Sequence, residues 1–384
     1  MSDLLPPISP ALSLPVRLRA FSQLTGKNST IVLIDSGFIP HPDLIYPTNR
    51  IVGYYDAVND VEDDMPPTET QISSWHGTMT ACTAAGNGYL SSGHYRSLAP
   101  NASVILVKTM HESSIIATPT IVRALRWCLA NKERLGINII NLSVYADELD
   151  HSLQHPVIAA VEELVASGIT VVAAAGNNFN APLRPPASAP SAITVGGLDD
   201  HNNLLRSDDS LYQTTFGKTM FQMLKPEIIA PAMWLAAPIL PNTSVQREAA
   251  ALCALDAMTD DMLIKIFPLL VAETHLPLQL IKTTTAKTLR KNIRERMKAE
   301  SIISPHYKFV DGTSFAAPIV CSVIAQMLEL RPELTPSEIK DILTETAVQL
   351  DNYPKEPQGY GVIQVDQVLQ KVASLNDDDE LKRL

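Results

Sequence analysis

Four polar residues of this 384-residue sequence could together perform acyl transfer, although they lie far apart in the chain. Ser314 lies in the stretch DGTSFAAP, and Asp35, His76 and Asn177 each stand among small or apolar residues. A serine hydroxyl becomes a nucleophile when a histidine accepts its proton and a carboxylate orients the imidazole. The side-chain amide of an asparagine could then stabilise the oxyanion that forms.

Each of these residues, taken alone, also fits a structural role. Serine is favoured at a helix N-terminus because its hydroxyl caps a main-chain amide. Asp35, directly after an apolar run, fits a turn residue, and His76 fits a structural or surface histidine. Asn177 follows a glycine and fits a left-handed turn position. The rest of the sequence is therefore needed to tell whether these residues are catalytic or structural.

Five short apolar runs predict the strands that would position these residues. Their apolar residues are nearly continuous, which is typical of parallel strands covered on both faces. The runs are IVLID (31–35), SVILVK (103–108), INIINLS (137–143), ITVVAAAG (169–176) and AITVGG (192–197).

Helical patterns alternate with these strands. Apolar spacing predicts helices around residues 121–129 and 157–165 and another from Ser314, and TPSE (335–338) predicts a capped helix start. The alternation predicts an α/β fold, a three-layer α/β/α sandwich with a mainly parallel, doubly wound sheet. Ligands bind at the carboxyl ends of such strands, where Asp35, Ser143 and Asn177 stand.

Composition narrows the class of protein. The sequence is 46% hydrophobic and 18% charged with a net charge of −11, which indicates a globular protein and argues against nucleic acid as a partner. Its four cysteines are widely spaced in apolar surroundings, which favours buried thiols over disulfides or zinc ligands. No signal-peptide pattern and no apolar run of membrane-spanning length is found, so we expect a cytoplasmic protein with no membrane partner.

Seven motifs occur in an order and spacing that resemble subtilisin-like serine proteases, over about residues 26 to 365. They are IVLIDSGFIPHPDL, HGTMTACTAAGNG, LAPNASVILVKTM, INIINLSV, VVAAAGNN, KPEIIAPA and GTSFAAPIV. The order Asp, His, Ser is that of subtilisin. The resemblance implies a serine endopeptidase in which Ser314 attacks, His76 transfers the proton and Asp35 orients it. It also implies an oxyanion hole formed by Asn177 and the Ser314 amide.

The resemblance implies substrate-binding residues as well, with departures from the family pattern. The edge Ser143, Val144 and Tyr145 would pair with the substrate backbone, and the segment holding Ala174 and Gly176 would form the wall of the primary pocket. The family usually has Ser-Leu-Gly where this sequence has SVY, so Tyr145 could narrow or cover the pocket.

The domain organisation predicted is one catalytic domain with additions. A 1–25 extension precedes a 26–372 catalytic domain, which a helical insert over 245–303 interrupts, and a charged tail covers 373–384. The proline-containing extension could lie across the active site as an inhibitory segment. The insert could restrict access to the cleft, and its basic part, 282–300, is either a solvated helix face or a docking surface for an acidic protein partner.

The same residues also bear on cofactors and on other classes of function. No cofactor is required for serine-mediated hydrolysis, and a structural calcium ion is possible because Asp43, in HPD, resembles one ligand position of the family. A non-catalytic scaffold that binds peptides or a partner is the main alternative. An esterase of the α/β-hydrolase type would need a G-x-S-x-G elbow, and nucleotide binding would need a complete glycine-rich loop. The sequence contains neither.

Overall fold

The described part of the chain comprises residues 11–20, 23–283 and 285–381 of a computed structural model. It divides into a larger unit, Leu12–Trp234 with Asp311–Leu384, and a smaller unit that contains Leu235–Val310. The insert predicted over 245–303 lies within the smaller unit. Nearly half of the predicted extension, residues 1–10 and 21–22, lies outside the described residues.

Fourteen strands are formed in the described residues. They are β1 Thr30–Asp35, β2 Ile51–Asp56, β3 Val61–Asp63, β4 Ser103–Lys108, β5 Ile139–Leu142, β6 Thr170–Ala174, β7 Ile193–Asp199, β8 Ser210–Leu211, β9 Gly217–Lys218, β10 Leu224–Lys225, β11 Ile228–Pro231, β12 Leu235–Pro238, β13 Ile302–Ser304 and β14 Tyr307–Val310. All five predicted strands are confirmed, and no end differs by more than two residues.

Twelve α-helices accompany them in the same residues. They are α1 Leu14–Arg17, α2 Pro42–Ile45, α3 Ser74–Ala85, α4 Thr118–Leu135, α5 Pro156–Ala166, α6 Ser244–Ala257, α7 Asp260–Thr274, α8 Leu280–Thr283, α9 Ala286–Ala299, α10 Thr313–Leu330, α11 Pro336–Thr346 and α12 Val365–Leu381. The predicted capping box at the start of α11 is confirmed, with both reciprocal bonds between Thr335 and Glu338.

The main sheet of the larger unit has the order β11-β7-β6-β5-β1-β4-β2-β3. Every neighbouring pair from β11 to β2 is parallel, whereas β3 pairs antiparallel with β2 and β8 with β7. The chain runs from β1 outward to β2 and later returns to place β5 on the other side of β1. The carboxyl end of β1 therefore stands at the switch point where such sheets form ligand clefts.

Helices cover both faces of this sheet. On one face, α4 and α5 pack together, and their Leu125 and Val161 share a core with Ile34, Val107 and Ile140 of the strands. On the other face, α3 and α10 pack against each other, and α10 also contacts β5, β6 and β7. The predicted three-layer α/β/α fold is thus confirmed.

The central helix α10 corrects one expectation of the sequence analysis. By length and composition it could cross a membrane, with a mean hydropathy of 1.5 over its 18 residues, so an apolar run of that length does exist. However, 83% of it is buried inside the protein. This pattern is typical of a core helix, which explains its apolar composition without a bilayer.

The last helix, α12, includes most of the segment predicted as a charged tail. It runs from Val365 to Leu381, so residues 373–381 continue the helix, and 382–384 lie outside the described residues. The stretch contains neither glycine nor proline, the two residues that oppose helix most strongly.

The smaller unit is a helical cluster with a three-stranded sheet of order β12-β14-β13. Its core joins α6, α7 and α9 through residues such as Leu252, Phe267 and Ile293. The basic residues of α9 face acidic partners within the unit, with contacts of 2.9 Å for Arg290–Asp260, 2.9 Å for Arg294–Asp256 and 2.7 Å for Arg296–Glu248. The three arginines are therefore compensated locally, and a docking role for 282–300 stays a prediction.

Candidate active site

The carboxylate of Asp35 and the imidazole of His76 form a direct pair. Asp35 ends β1 and is 1% exposed, and its Oδ1 lies 2.7 Å from His76 Nδ1 in the first turn of α3. Two further donors hold the carboxylate, the Ser36 amide at 2.6 Å and the Thr80 hydroxyl at 2.9 Å. Since a carboxylate only accepts hydrogen bonds, this contact favours the hydrogen on Nδ1 and leaves Nε2 for proton exchange.

The close approach of β1 and α3 depends on Gly77. A Cβ atom at this position would clash with the carbonyl oxygen of Gly37 and would lie 3.1 Å from Asp35 Cβ. Only a residue without a side chain fits there.

Two opposing effects act on the pKa of His76. Burial of the imidazole lowers it, while the negative charge of Asp35 and the hydrogen bond to that carboxylate raise it. The two contributions from Asp35 together outweigh burial, so the pKa of His76 stands above its ordinary value. The imidazole is a stronger base than an unpaired histidine, and it becomes protonated already at a higher pH.

Ser314 is the second residue of α10, which begins at Thr313 after the N-cap Gly312. Amides in the first turn of a helix have no acceptor within the helix, so the Ser314 N–H can bind an external group. The aromatic ring of Phe315, the next residue, lies 5.6 Å from the His76 ring. The start of α10 therefore lies beside the imidazole.

The side chain of Asn177 is oriented by Thr313. Its Oδ1 accepts hydrogen bonds from both the amide and the hydroxyl of Thr313, each at 2.9 Å. The Thr313 hydroxyl also accepts from the Gly176 amide at 3.0 Å, which links the two segments. With Oδ1 engaged in this way, Nδ2 is the end of the amide left to donate.

One cavity of about 410 Å³ joins Ser314 and Asn177 to the predicted substrate-binding residues. All five of these residues line it, namely Ser143, Val144, Tyr145, Ala174 and Gly176. The Ser143 hydroxyl donates to the Ser314 carbonyl at 3.0 Å and accepts from Asn141 Nδ2 at 2.9 Å. The carboxyl ends of β5 and β6 therefore meet the start of α10 at this cavity.

Gly176 is required by the shape of the cavity wall. Its φ is +107°, which side-chain-bearing residues rarely adopt, and a Cβ there would lie 2.8 Å from Thr215 Oγ1. Tyr145, the departure from the family pattern, lines this cavity and is 60% exposed.

Three residues that contribute to this site were missed by the sequence analysis. Thr80 could have been found, because it lies four residues after His76 on one helix and thus on the same face. Thr313 and Arg184 give no such local signal. Thr313 reaches Asn177 across 136 positions of sequence, and Arg184 lines the cavity from a loop after β6.

The stretch around Asp43, which suggested a calcium site, already contains a cation of the protein itself. The buried guanidinium of Arg50 donates to the carbonyl oxygens of Asp43 and Ala85, and Asp43 Oδ1 accepts from the Leu90 amide at 3.1 Å. The other nearby ligand atoms belong to His41 and to a thiol, Cys82. Calcium takes six to eight oxygen ligands, so this donor set does not fit calcium.

We therefore expect Arg50, and not a metal ion, to hold this loop. In an inactive Ser314→Ala background that avoids self-cleavage, Arg50→Met should lower the free energy of unfolding by about 3 kcal/mol, because two buried carbonyls lose their donor. Urea denaturation measures this, with the exposed Arg134→Met as matched control. Stability lost on chelation with EDTA but kept in Arg50→Met would show instead that a bound cation holds the loop.

An Asp–His pair at the end of a parallel strand, beside a serine at a helix N-terminus, is the arrangement of serine hydrolases. Comparison with known sequences gives the family. The profile of the subtilase family, Peptidase_S8, matches residues 26–361, and the chain belongs to that family.

Known relatives agree with this. Serine protease AprX of Bacillus subtilis (strain 168) is 30% identical over 328 residues, which are 83% of this chain and 61% of AprX. Subtilisin Savinase of Lederbergia lenta is 30% identical over 182 residues, 47% of this chain and 59% of Savinase. The chain thus spans about three fifths of the length of each.

Solved structures share the fold. The protease domain of PatA superposes with a TM-score of 0.60 at 18% identity, covering 92% of this chain and 98% of that domain. Fervidolysin from Fervidobacterium pennivorans gives a TM-score of 0.57 at 19% identity, covering 91% of this chain and 43% of fervidolysin.

Proposed function

We propose that this protein is a serine endopeptidase that hydrolyses peptide bonds through an acyl-enzyme intermediate. The observation that carries the proposal is the 2.7 Å contact between Asp35 and His76, beside the start of α10 where Ser314 stands. The open cavity at Ser314 supports a polypeptide as substrate, because a side chain can enter it while the backbone lies on the Ser143 edge.

In the acylation step, Ser314 Oγ attacks the carbonyl carbon of the scissile bond and His76 Nε2 accepts the hydroxyl proton. Asp35 stabilises the imidazolium that forms, without itself taking the proton. The carbonyl oxygen becomes an oxyanion and accepts hydrogen bonds from the Ser314 amide and Asn177 Nδ2. The imidazolium then protonates the leaving amine, and the C–N bond breaks.

In the deacylation step, water takes the place of the leaving amine. His76 Nε2 accepts a proton from the water as its oxygen attacks the ester carbonyl, and the same two donors bind the second oxyanion. Collapse of the intermediate returns the proton to Ser314 Oγ and releases the acid. Nucleophile, base and donors are all groups of the chain, so the proposed reaction needs no cofactor.

The oxyanion role of Asn177 predicts a loss in kcat rather than in KM. Asn177→Ala should lower kcat by about 10²- to 10³-fold, because the donor acts mainly on the charge that develops in the transition state. Steady-state hydrolysis of a chromogenic peptide measures both constants. Asn178→Ala, at a neighbouring residue of the cavity wall, is the control and should retain kcat within a few-fold. A tenfold rise in KM with kcat unchanged would contradict the oxyanion role.

The alternative, a non-catalytic scaffold that binds peptides, shares the same fold and cavity. A fluorophosphonate probe separates the two, because it reacts only with an activated serine. We expect one label per chain, on the peptide that contains Ser314, and no label in Ser314→Ala. The enzyme that has not been treated with the probe should cleave a peptide library. An unlabelled protein that still bound peptides would favour the scaffold.

The proposal includes the cellular compartment in which the protein acts. Cys82, Cys128 and Cys321 are buried free thiols and Cys253 is a partly buried one. Proteins that keep their cysteines reduced are typical of the cytoplasm, and we propose that location.

A further inference from the structure

We propose that Arg184 makes this enzyme prefer an acidic side chain at the substrate residue whose carbonyl is attacked, an inference that rests on the proposed peptidase function. Arg184 lines the cavity that begins at Ser314. Every other described residue that lines this cavity is neutral. A substrate side chain entering it therefore meets one fixed positive charge and no carboxylate of the enzyme.

The guanidinium of Arg184 is held in place but not neutralised. Its Nη1 donates to the carbonyl oxygens of Asp147 and Ala146, and its Cζ lies 5.6 Å from the centre of the Tyr145 ring. Among the described residues, no carboxylate lies within the distance of an ion pair from it, and Nε and Nη2 have no hydrogen-bond partner. Two edges of the planar group can thus receive a ligand.

The chemistry of these free donors selects the ligand. A guanidinium binds a carboxylate through charge-assisted and often paired hydrogen bonds, which are stronger than those to a neutral amide. A lysine or arginine of the substrate would be repelled, and a large apolar side chain would leave the guanidinium without its water. The cavity, at about 410 Å³, has room for a glutamate side chain.

The overall charge of the protein works in the opposite direction. With a net charge of −11 the enzyme repels acidic peptides at long range, so a preference for them has to come from a local group. Arg184 is half-buried, so added salt should weaken its attraction for a carboxylate only in part.

Kinetics on peptides that differ only at this one residue test the proposal. Glutamate and glutamine are nearly isosteric, so the ratio of their kcat/KM values isolates the charge. For the unmodified enzyme, assayed above the pKa of His76, we expect a ratio of about tenfold to hundredfold, smaller at high salt. Arg184→Gln should bring the ratio close to one, and Arg184→Lys, which keeps the charge but not the fork, should give an intermediate value.

The control is Arg134→Gln, which removes the same charge from a half-exposed side chain that does not line the cavity. It should leave the ratio unchanged. A ratio of one or less in the unmodified enzyme overturns the proposal, as does a high ratio that survives in Arg184→Gln. An equal loss of kcat/KM on every peptide in Arg184→Gln also overturns it, since Arg184 would then only anchor the Ala146 loop. Failure of the peptidase function itself looks different, since no peptide would be cleaved and the fluorophosphonate would not react.

Discussion

Replacing Ser314 with alanine should lower kcat for peptide hydrolysis by about 10⁶-fold while the fold is retained. In the proposed mechanism the hydroxyl oxygen of Ser314 is the atom that forms the acyl bond. Alanine is the most favourable residue in a helix, so the start of α10 should remain intact. Active-site titration and initial rates on a chromogenic peptide measure the loss.

The control for this experiment is Ser207→Ala, which removes an exposed serine whose hydroxyl contacts only Asp208 among the described residues. It should keep full activity. If Ser314→Ala retained more than about a thousandth of the rate, some other group would be attacking the substrate, and the acyl-enzyme mechanism would be wrong. Circular dichroism and thermal melting would confirm that the variant is folded.

Replacing Asp35 with asparagine should lower kcat by about 10⁴-fold and move the pH dependence of the residual activity. In the unmodified enzyme the pKa of His76 is raised, and activity is lost as the imidazole is protonated. As the pH is lowered, kcat/KM should therefore begin to fall at a pH above about 6.5, the pKa of an unperturbed histidine. Without the charge of Asp35 only the effect of burial remains, which lowers the pKa of His76. The acid limb should therefore shift to lower pH.

Thr80→Val provides the matched comparison for this shift. It removes one hydrogen bond to Asp35 Oδ2 but keeps the negative charge next to the imidazole. We expect a loss of about tenfold or less, with an acid limb close to that of the unmodified enzyme. An acid limb that stayed in place in Asp35→Asn would mean that another group titrates, and that Asp35 does not control the pKa of His76.

The candidate catalytic residues and the class of fold could be predicted from the sequence because the patterns that indicate them are local. Each of the five predicted strands is a short apolar run, so its position follows from five to eight adjacent residues. Asp35 follows such a run directly. Gly77, next to His76, indicates that another segment approaches closely there, and in the structure that segment is the backbone at Gly37. The family motifs add the roles, since each one keeps a functional residue together with its neighbours.

The charge of two segments did not by itself show what structure or contacts each would form. The segment after residue 373 is charged, which suggested a tail, but helix propensity carries α12 on to Leu381. The basic residues of α9 predicted either a solvated helix face or a docking surface, and the structure adds that Asp256 and Glu248 of α6 pair with Arg294 and Arg296. The pairing of α9 depended on residues outside the segment and not on its own composition.

The sequence by itself determined which residues carry the proposed chemistry, how the strands and helices alternate, and to which family the chain belongs. Only the tertiary structure decided which groups surround them. Thr313 orients Asn177, the guanidinium of Arg50 holds the loop around Asp43, and Arg184 brings a charge into the cavity. The physical reason is that these contacts join segments that approach each other only once the parallel sheet has set its strand order. A single side chain with no periodic pattern carries no advance sign of the partner it will meet there.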